Sequence, residues 1–171
     1  MTEFFIKNLE ETDLGKLTAA GLTAIGLDIG DKTVGVAVSD DRIKIAGGVG
    51  VISRKGTGAD FELLAGMIEN LKAGLIIFGW PLQTNGLPGQ QCEKVLEFVR
   101  RLSEYTKADF AKWDERFSTK AVNNVMIQAD MSRKKRAKVT DKAAAVYILQ
   151  GAIDFMNCTG FRRQFDSAGK N

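Results

Sequence analysis

Histidine is absent from this chain of 171 residues. That absence excludes Ser-His-Asp and Cys-His nucleophile systems and histidine metal sites. Any chemistry must therefore rest on carboxylates, lysine, hydroxyls or a bound cation. Cysteine is nearly absent: Cys92 and Cys158 stand far apart without zinc-ligand spacing and support no disulfide framework, so both read as small packing residues. No apolar run reaches the roughly 18 to 20 residues that a bilayer span requires. The first 20 residues carry acids instead of the apolar stretch of a signal peptide. The expectation is a cytosolic protein with no membrane attachment. Repeats and low-complexity stretches are also missing.

What is present suffices for one well-packed core, with 44% hydrophobic residues, and is too short for two full domains enclosing a cleft. Residues 1–21 read as a polar N-terminal extension, 22–156 as a single domain and 157–171 as a polar C-terminal tail, neither tail resembling core. Net charge is only +3, yet Arg133, Lys134, Lys135, Arg136, Lys138 and Lys142 crowd a segment whose sole acid is Asp141. Such a segment creates a local field for polyanions.

Ala24 to Gly30 and Val34 to Ser39 are short β-prone runs joined by Asp31-Lys32-Thr33, and Gly48 to Ser53 follows. Connections this short predict an antiparallel meander. Asp60 to Lys72 carries apolar residues at helical spacing and leads into the wholly apolar Gly74 to Phe78, a strand covered on both faces with a parallel neighbour. Gln90 to Glu104 predicts another helix and Ala108 to Trp113 a fifth strand. Thr119 to Ala129 and Thr140 to Phe155 read as two helices joined by the basic segment. The order β-β-β-α-β-α-β-α-α belongs to the mixed α/β class, with a five-stranded sheet and helices on both faces.

Asp28 interrupts an otherwise apolar strand. Burying a lone carboxylate is costly, so it should face a polar site at the strand's carboxyl end, where open α/β sheets bind ligands. Gly30 beside it would let a phosphate or sugar approach the backbone; the competing reading is an aspartate making turn hydrogen bonds with the Asp31 to Thr33 connection. Asp114-Glu115-Arg116 closes the last strand. Strand alternation directs only one of the two acids into a site: Glu115 is the choice, with Asp114 in reserve and Arg116 for a phosphate or an ion pair. Asp141 follows Thr140, an acceptable N-cap, and an acid in the first helical turn is favoured by the helix dipole without any catalytic role. Three acids at the ends of elements that one fold brings together are what a hard divalent ion, Mg2+ or Mn2+, requires. Two such ions can activate water and stabilise the leaving oxygen of a phosphodiester without histidine. In the loop Gly79 to Gly86, Pro81 stiffens the chain and Asn85-Gly86 predicts a turn. Trp80, Gln83 and Thr84 there could contact bases or sugars, or Trp80 could simply cover the core. Lys32 in the first connection and the run from Arg133 to Lys138 would follow a phosphate backbone, unless the run is only a solvated loop.

These residues resemble the YqgF (RuvX) family, Holliday junction resolvase-like proteins assigned as nucleases for pre-16S ribosomal RNA. The similar segments are GLDIGDKTVGVAVSD at Gly26 to Asp40, IIFGWPLQTNG at Ile76 to Gly86, DERFST at Asp114 to Thr119 and VTDKAAAVYIL at Val139 to Leu149. Four motifs in the right order, spanning roughly Leu22 to Phe155, make a specific signal. The resemblance implies a ribonuclease H-like fold, an acidic triad falling on Asp28, Glu115 and Asp141, and metal-dependent cleavage of structured RNA in 5′-end processing of the small-subunit ribosomal RNA. The resembling loop has Leu where Trp80 stands here, which leaves the triad untouched. Ribosomal particles are an implied partner, and the chain is expected to be a monomer or weak homodimer.

Three other functions compete. A Holliday junction endonuclease acting on branched DNA would use the same triad but needs a two-fold dimer for symmetric cuts. The Asp-x-Gly pattern at Asp28 to Gly30 also resembles the phosphate loop of actin-like ATPases and sugar kinases, which need two such domains where this chain has room for one. The third is a catalytically silent nucleic-acid-binding module.

Overall fold

The computed structural model describes residues 5–83, 85–114 and 133–168; at 133–140 and 160–168 it describes the backbone alone. Six strands form one mixed sheet: β1 (Ile6–Lys7), β2 (Thr23–Ile29), β3 (Thr33–Ser39), β4 (Ala46–Ser53), β5 (Ala73–Trp80) and β6 (Asp109–Asp114). Their order across the sheet is β1-β6-β5-β2-β3-β4. The helices are α1 (Leu14–Ala19), α2 (Gly58–Asn70), α3 (Gln90–Leu102) and α4 (Arg133–Ala168).

The predicted meander is β2-β3-β4, paired antiparallel throughout. Its first turn is tight because Gly30 N–H donates to the Thr33 carbonyl at 2.9 Å, leaving only Asp31 and Lys32 outside the ladder. β5 and β6 then add in parallel beside β2. The carboxyl ends of β2, β5 and β6 consequently share one edge, as the mixed α/β reading required.

Alternation along the strands divides the core in two. Ile25, Leu27, Val34, Val36, Ile76 and Phe78 face α2 and α3. Ala24, Ala37, Leu75, Ile77 and Ala111 face α4, which presents Ala145, Ile148, Leu149, Ala152 and Ile153 at helical spacing. Both faces of β5 are covered, which is why that strand is apolar along most of its length.

The structure corrects three sequence expectations. The sheet has six strands instead of five, because Ile6–Lys7 pairs in parallel with Phe110 and Ala111; Leu9, just beyond, is 7% exposed and belongs to the α4-side core. A strand of two residues is too short to show an alternating pattern in the sequence, and it forms by pairing with the edge that β6 offers. The basic run at 133–138 is the start of α4 and not a loop joining two helices. Asp141 therefore lies about two turns inside a helix, and the N-cap reading of Thr140 and Asp141 fails. Helix α4 also continues to Ala168, through residues read as an aperiodic tail. The helix expected over Thr119 to Ala129 lies outside the described residues. Among the described residues no helix is long and apolar enough to cross a membrane, and Cys92 and Cys158 are free thiols.

Candidate active site

The site grows out of a path of missing side chains. On the α4 face of the sheet, β2 presents Gly26 and Asp28, β3 presents Gly35 and β4 presents Gly48. A β-carbon at Gly26 would lie 2.7 Å from both the Ala145 carbonyl oxygen and the Leu149 β-carbon. One at Gly35 would run into the Asp141 carbonyl group, and one at Gly48 into the Lys142 side chain. No real side chain tolerates such separations, so these glycines let α4 lie directly against the strand backbones. Helix α4 reciprocates at Gly151, where the Trp113 ring occupies the space a side chain would need.

Asp141 is brought to the sheet by this contact. It continues toward the helix N-terminus the stripe that runs through Ala145 and Leu149, four residues apart on one face. Its backbone sits over Gly35, and Gly35 is the register partner of Asp28. The Asp141 Oδ2 atom accepts a hydrogen bond from the Thr33 hydroxyl at 2.7 Å, which orients the carboxylate from the β2–β3 hairpin. The structure thus brings together two of the three predicted acids, Asp28 and Asp141, which are distant in sequence.

Their proximity has an electrostatic signature. The Asp28 carboxyl is pushed up to about 6, first by burial and then by the negative charge of Asp141. A carboxyl buried beside a like charge keeps its proton to higher pH unless a cation compensates the charge. The donor set is all oxygen, which suits a hard divalent ion such as Mg2+ or Mn2+ and offers nothing to a soft one. Among the described residues no group of three or more potential ligands converges; Glu115, Arg116 and Thr84 lie outside the described residues.

Asp114 is the last residue of β6 and pairs in register with Trp80. Trp113, its neighbour, packs in the α4-side cluster, so alternation turns Asp114 to the opposite face, away from Asp28. Trp80 shares that opposite face: it packs on the α2/α3 core, edge-on to Phe78 at 6.3 Å, with the Lys112 ammonium 5.3 Å from its ring centre. Gln83 is exposed but tied into its own loop, its carbonyl accepting from Gly86 N–H at 2.8 Å in the predicted turn, where Gly86 has φ of 80°. Lys32 is exposed at the hairpin tip, two residues beyond Gly30. Of Arg133, Lys134, Lys135, Arg136 and Lys138 only the helical backbone is described, two turns before Asp141 on the same helix.

Sequence reasoning missed the Thr33 hydroxyl and the glycines beneath α4. Their signal was available: Gly26, Gly35 and Gly48 interrupt β-prone strands where packing alone would favour larger residues.

The chain is similar to proteins already known. A provisionally named pre-16S rRNA nuclease of Clostridium kluyveri is 46% identical over 130 residues, covering 76% of this chain and 95% of the relative. A protein of the same provisional name from Clostridium botulinum strain Hall is 42% identical over 133 residues, covering 78% and 97%. Among solved structures, the fowlpox virus resolvase bound to Holliday junction DNA overlays with a TM-score of 0.49 at 15% identity, covering 80% of this chain and 98% of the other. RuvC of T. thermophilus with its junction substrate gives 0.47 at 10% identity, covering 77% and 93%. Residues 22–155 match the family profile of RuvX, described as Holliday junction resolvase, and the chain belongs to that family.

Proposed function

We propose that this protein is a metal-dependent endonuclease that hydrolyses phosphodiester bonds of structured RNA in the 5′-end maturation of pre-16S ribosomal RNA, acting in the cytoplasm during ribosome biogenesis. The observation that carries the reading is the seating of Asp141 over Gly35, the register partner of Asp28, with its carboxylate held by the Thr33 hydroxyl; the burial of Asp28 and the charge of Asp141 raise the Asp28 carboxyl accordingly. The two acids are kept together by a helix packed on glycine, an arrangement a purely structural role does not require. The names of the curated relatives supply the RNA.

Asp28, Glu115 and Asp141 would hold Mg2+ or Mn2+. When bound, such an ion supplies Lewis acidity to the phosphodiester and lowers the pKa of a coordinated water. Glu115 is chosen over Asp114 because alternation turns Asp114 to the other face of the sheet. By holding such an ion, Asp28 and Asp141 would fix where the scissile phosphate sits at the carboxyl edge, and Thr33 keeps Asp141 from rotating away. Gly30 leaves the backbone open to the substrate. Lys32, Arg116 and the basic start of α4 (Arg133, Lys134, Lys135, Arg136, Lys138) neutralise flanking phosphates, and Gln83, exposed beyond the end of β5, borders the substrate. Water adds to phosphorus, one P–O ester bond breaks and the leaving oxygen takes up a proton.

The test is cleavage of a precursor 16S RNA fragment with Mg2+ or Mn2+ supplied. Asp28→Asn should abolish cleavage while leaving the fold and RNA binding intact; cutting at the wild-type rate by the Asn variant would sink the proposal. A second reading, cleavage of four-way DNA junctions, is favoured by the family's own description. Running a DNA junction beside the RNA decides between them, and a strictly monomeric enzyme argues against paired junction cuts.

A further inference from the structure

Across the β2–β3 hairpin from Asp28, on the α2/α3 face of the sheet, a cleft of about 250 Å3 is bordered by Arg54, Lys94 and Arg101. Lys94 and Arg101 are seven residues apart on α3, two turns along one face, and Arg54 follows β4. The Arg54 guanidinium lies 4.6 Å from the centre of the Phe98 ring and that of Arg101 lies 4.6 Å from the centre of Phe61. The two rings are 5.0 Å apart, and each is 3% exposed. The rings are therefore floors under the guanidinium groups and not surfaces open to bases.

The acids bordering this cleft are already engaged. Asp31 holds Lys94 at 3.0 Å and Glu97 holds Arg100 at 3.1 Å. Among the described residues neither Arg54 nor Arg101 makes an ion pair. Arg54 instead donates through Nη1 to the Gly30 carbonyl. Asp31 and Glu97 also border the cleft and feel the charges of Arg54 and Arg101, but with Lys94 the cleft carries three cations against two acids, and guanidinium presents paired donors matched to phosphate oxygens, so the two arginines form an anion clamp. The clamp is joined to the active site by the hairpin: Arg54 grips Gly30 and Lys94 grips Asp31, two and three residues after Asp28.

We propose that Arg54 and Arg101, with Lys94, form a second anchor for the sugar-phosphate backbone of the RNA, on the face of the sheet opposite the Asp28–Asp141 pair. The RNA strand is thereby fixed on both sides of the hairpin that carries the active site. The identity of the polyanion rests on the nuclease reading above; the clamp itself rests on the cleft.

The test measures binding, not cleavage, in an Asp28→Asn background. A structured precursor 16S RNA fragment is titrated by fluorescence anisotropy between 50 and 250 mM KCl (about a fivefold range over which counterion release is read). Arg101→Met keeps an apolar cover on Phe61 and removes the charge; Arg101→Lys keeps the charge. Arg101→Met should weaken binding by about threefold to tenfold and reduce the slope of log K against log salt by about 0.7 to 0.9. Arg101→Lys should stay within about twofold of the parent, and Arg54→Met/Arg101→Met should lose roughly twice the slope. Parental affinity and slope in Arg101→Met would overturn the proposal and leave the arginine as a lid on the core. Equal losses in Arg101→Lys and Arg101→Met would overturn it too. Failure of the wild-type protein to cleave RNA would count against the nuclease reading alone, because the clamp is judged on affinity and salt slope.

Discussion

Asp28 is a residue whose preferred protonation changes on folding. With the unfolded carboxyl at 3.8 and the folded one at about 6, the metal-free native state binds the proton more tightly than the unfolded chain. Stability is then highest below pH ~4 as far as this group is concerned, and falls as pH rises through 6. The gap is worth roughly 3 kcal/mol. Asp28→Asn should therefore raise the melting temperature of the metal-free protein at pH 7.5 and raise it only about a third as much at pH 4.5. Added Mg2+ should stabilise the wild type and not the variant. Calorimetry at both pH values checks this, and an Asn variant no more stable at pH 7.5 contradicts it. Thr33 is a positioning residue whose hydroxyl donates to Asp141 Oδ2. Thr33→Val should cost about 1 kcal/mol of stability yet lower kcat about tenfold or more with KM nearly constant, and Thr33→Ser should restore most of it. A parallel fall in stability and KM, with kcat preserved, would reduce Thr33 to a packing residue.

At the scale of elements, the decisive contact is α4 on the glycines of β2, β3 and β4. Gly35→Ala forces a methyl group into the Asp141 backbone. It should destabilise the fold by at least about 2 kcal/mol and, where protein remains folded, depress metal-stimulated cleavage. Gly50→Ala on the edge strand meets nothing within 4 Å and should be close to neutral. Denaturant unfolding and cleavage rates of the two variants compare the contact with a matched control; equal effects would show that helix approach is not what the glycine provides. This element also marks where sequence reading stopped. Strands β2 to β6 and the helices α2 and α3 were legible because period-2 and period-3.6 patterns are local. The start of α4 was not: Arg133 to Lys138 has no apolar period, and Asp141 after Thr140 imitates a cap. Asp141 was named as a candidate while the element holding it was misread.

For the whole molecule, the surprise lies at the chain's beginning. Residues read as an extension add strand β1 and the core residue Leu9. Leu9→Ala should destabilise by about 2 to 3 kcal/mol. The Lys7–Asp109 ion pair at 2.6 Å has both side chains nearly half exposed, and its removal by Lys7→Ala should cost under ~1 kcal/mol. Urea unfolding of the two variants checks the contrast, and a Leu9 variant as stable as wild type would mean that the segment only rests on the domain. The sequence by itself narrowed the class of chemistry, since a chain without histidine is left with carboxylates, lysine, hydroxyls or a bound cation, with Asp28 inside an apolar strand as the leading candidate, and it pointed to the shared carboxyl edge of β2, β5 and β6 through their connections. Only the tertiary structure decided that Asp141 stands beside Asp28. That neighbourhood depends on missing β-carbons in three strands falling in register beneath one helix, and no local pattern in the chain encodes a gap assembled from three separate segments.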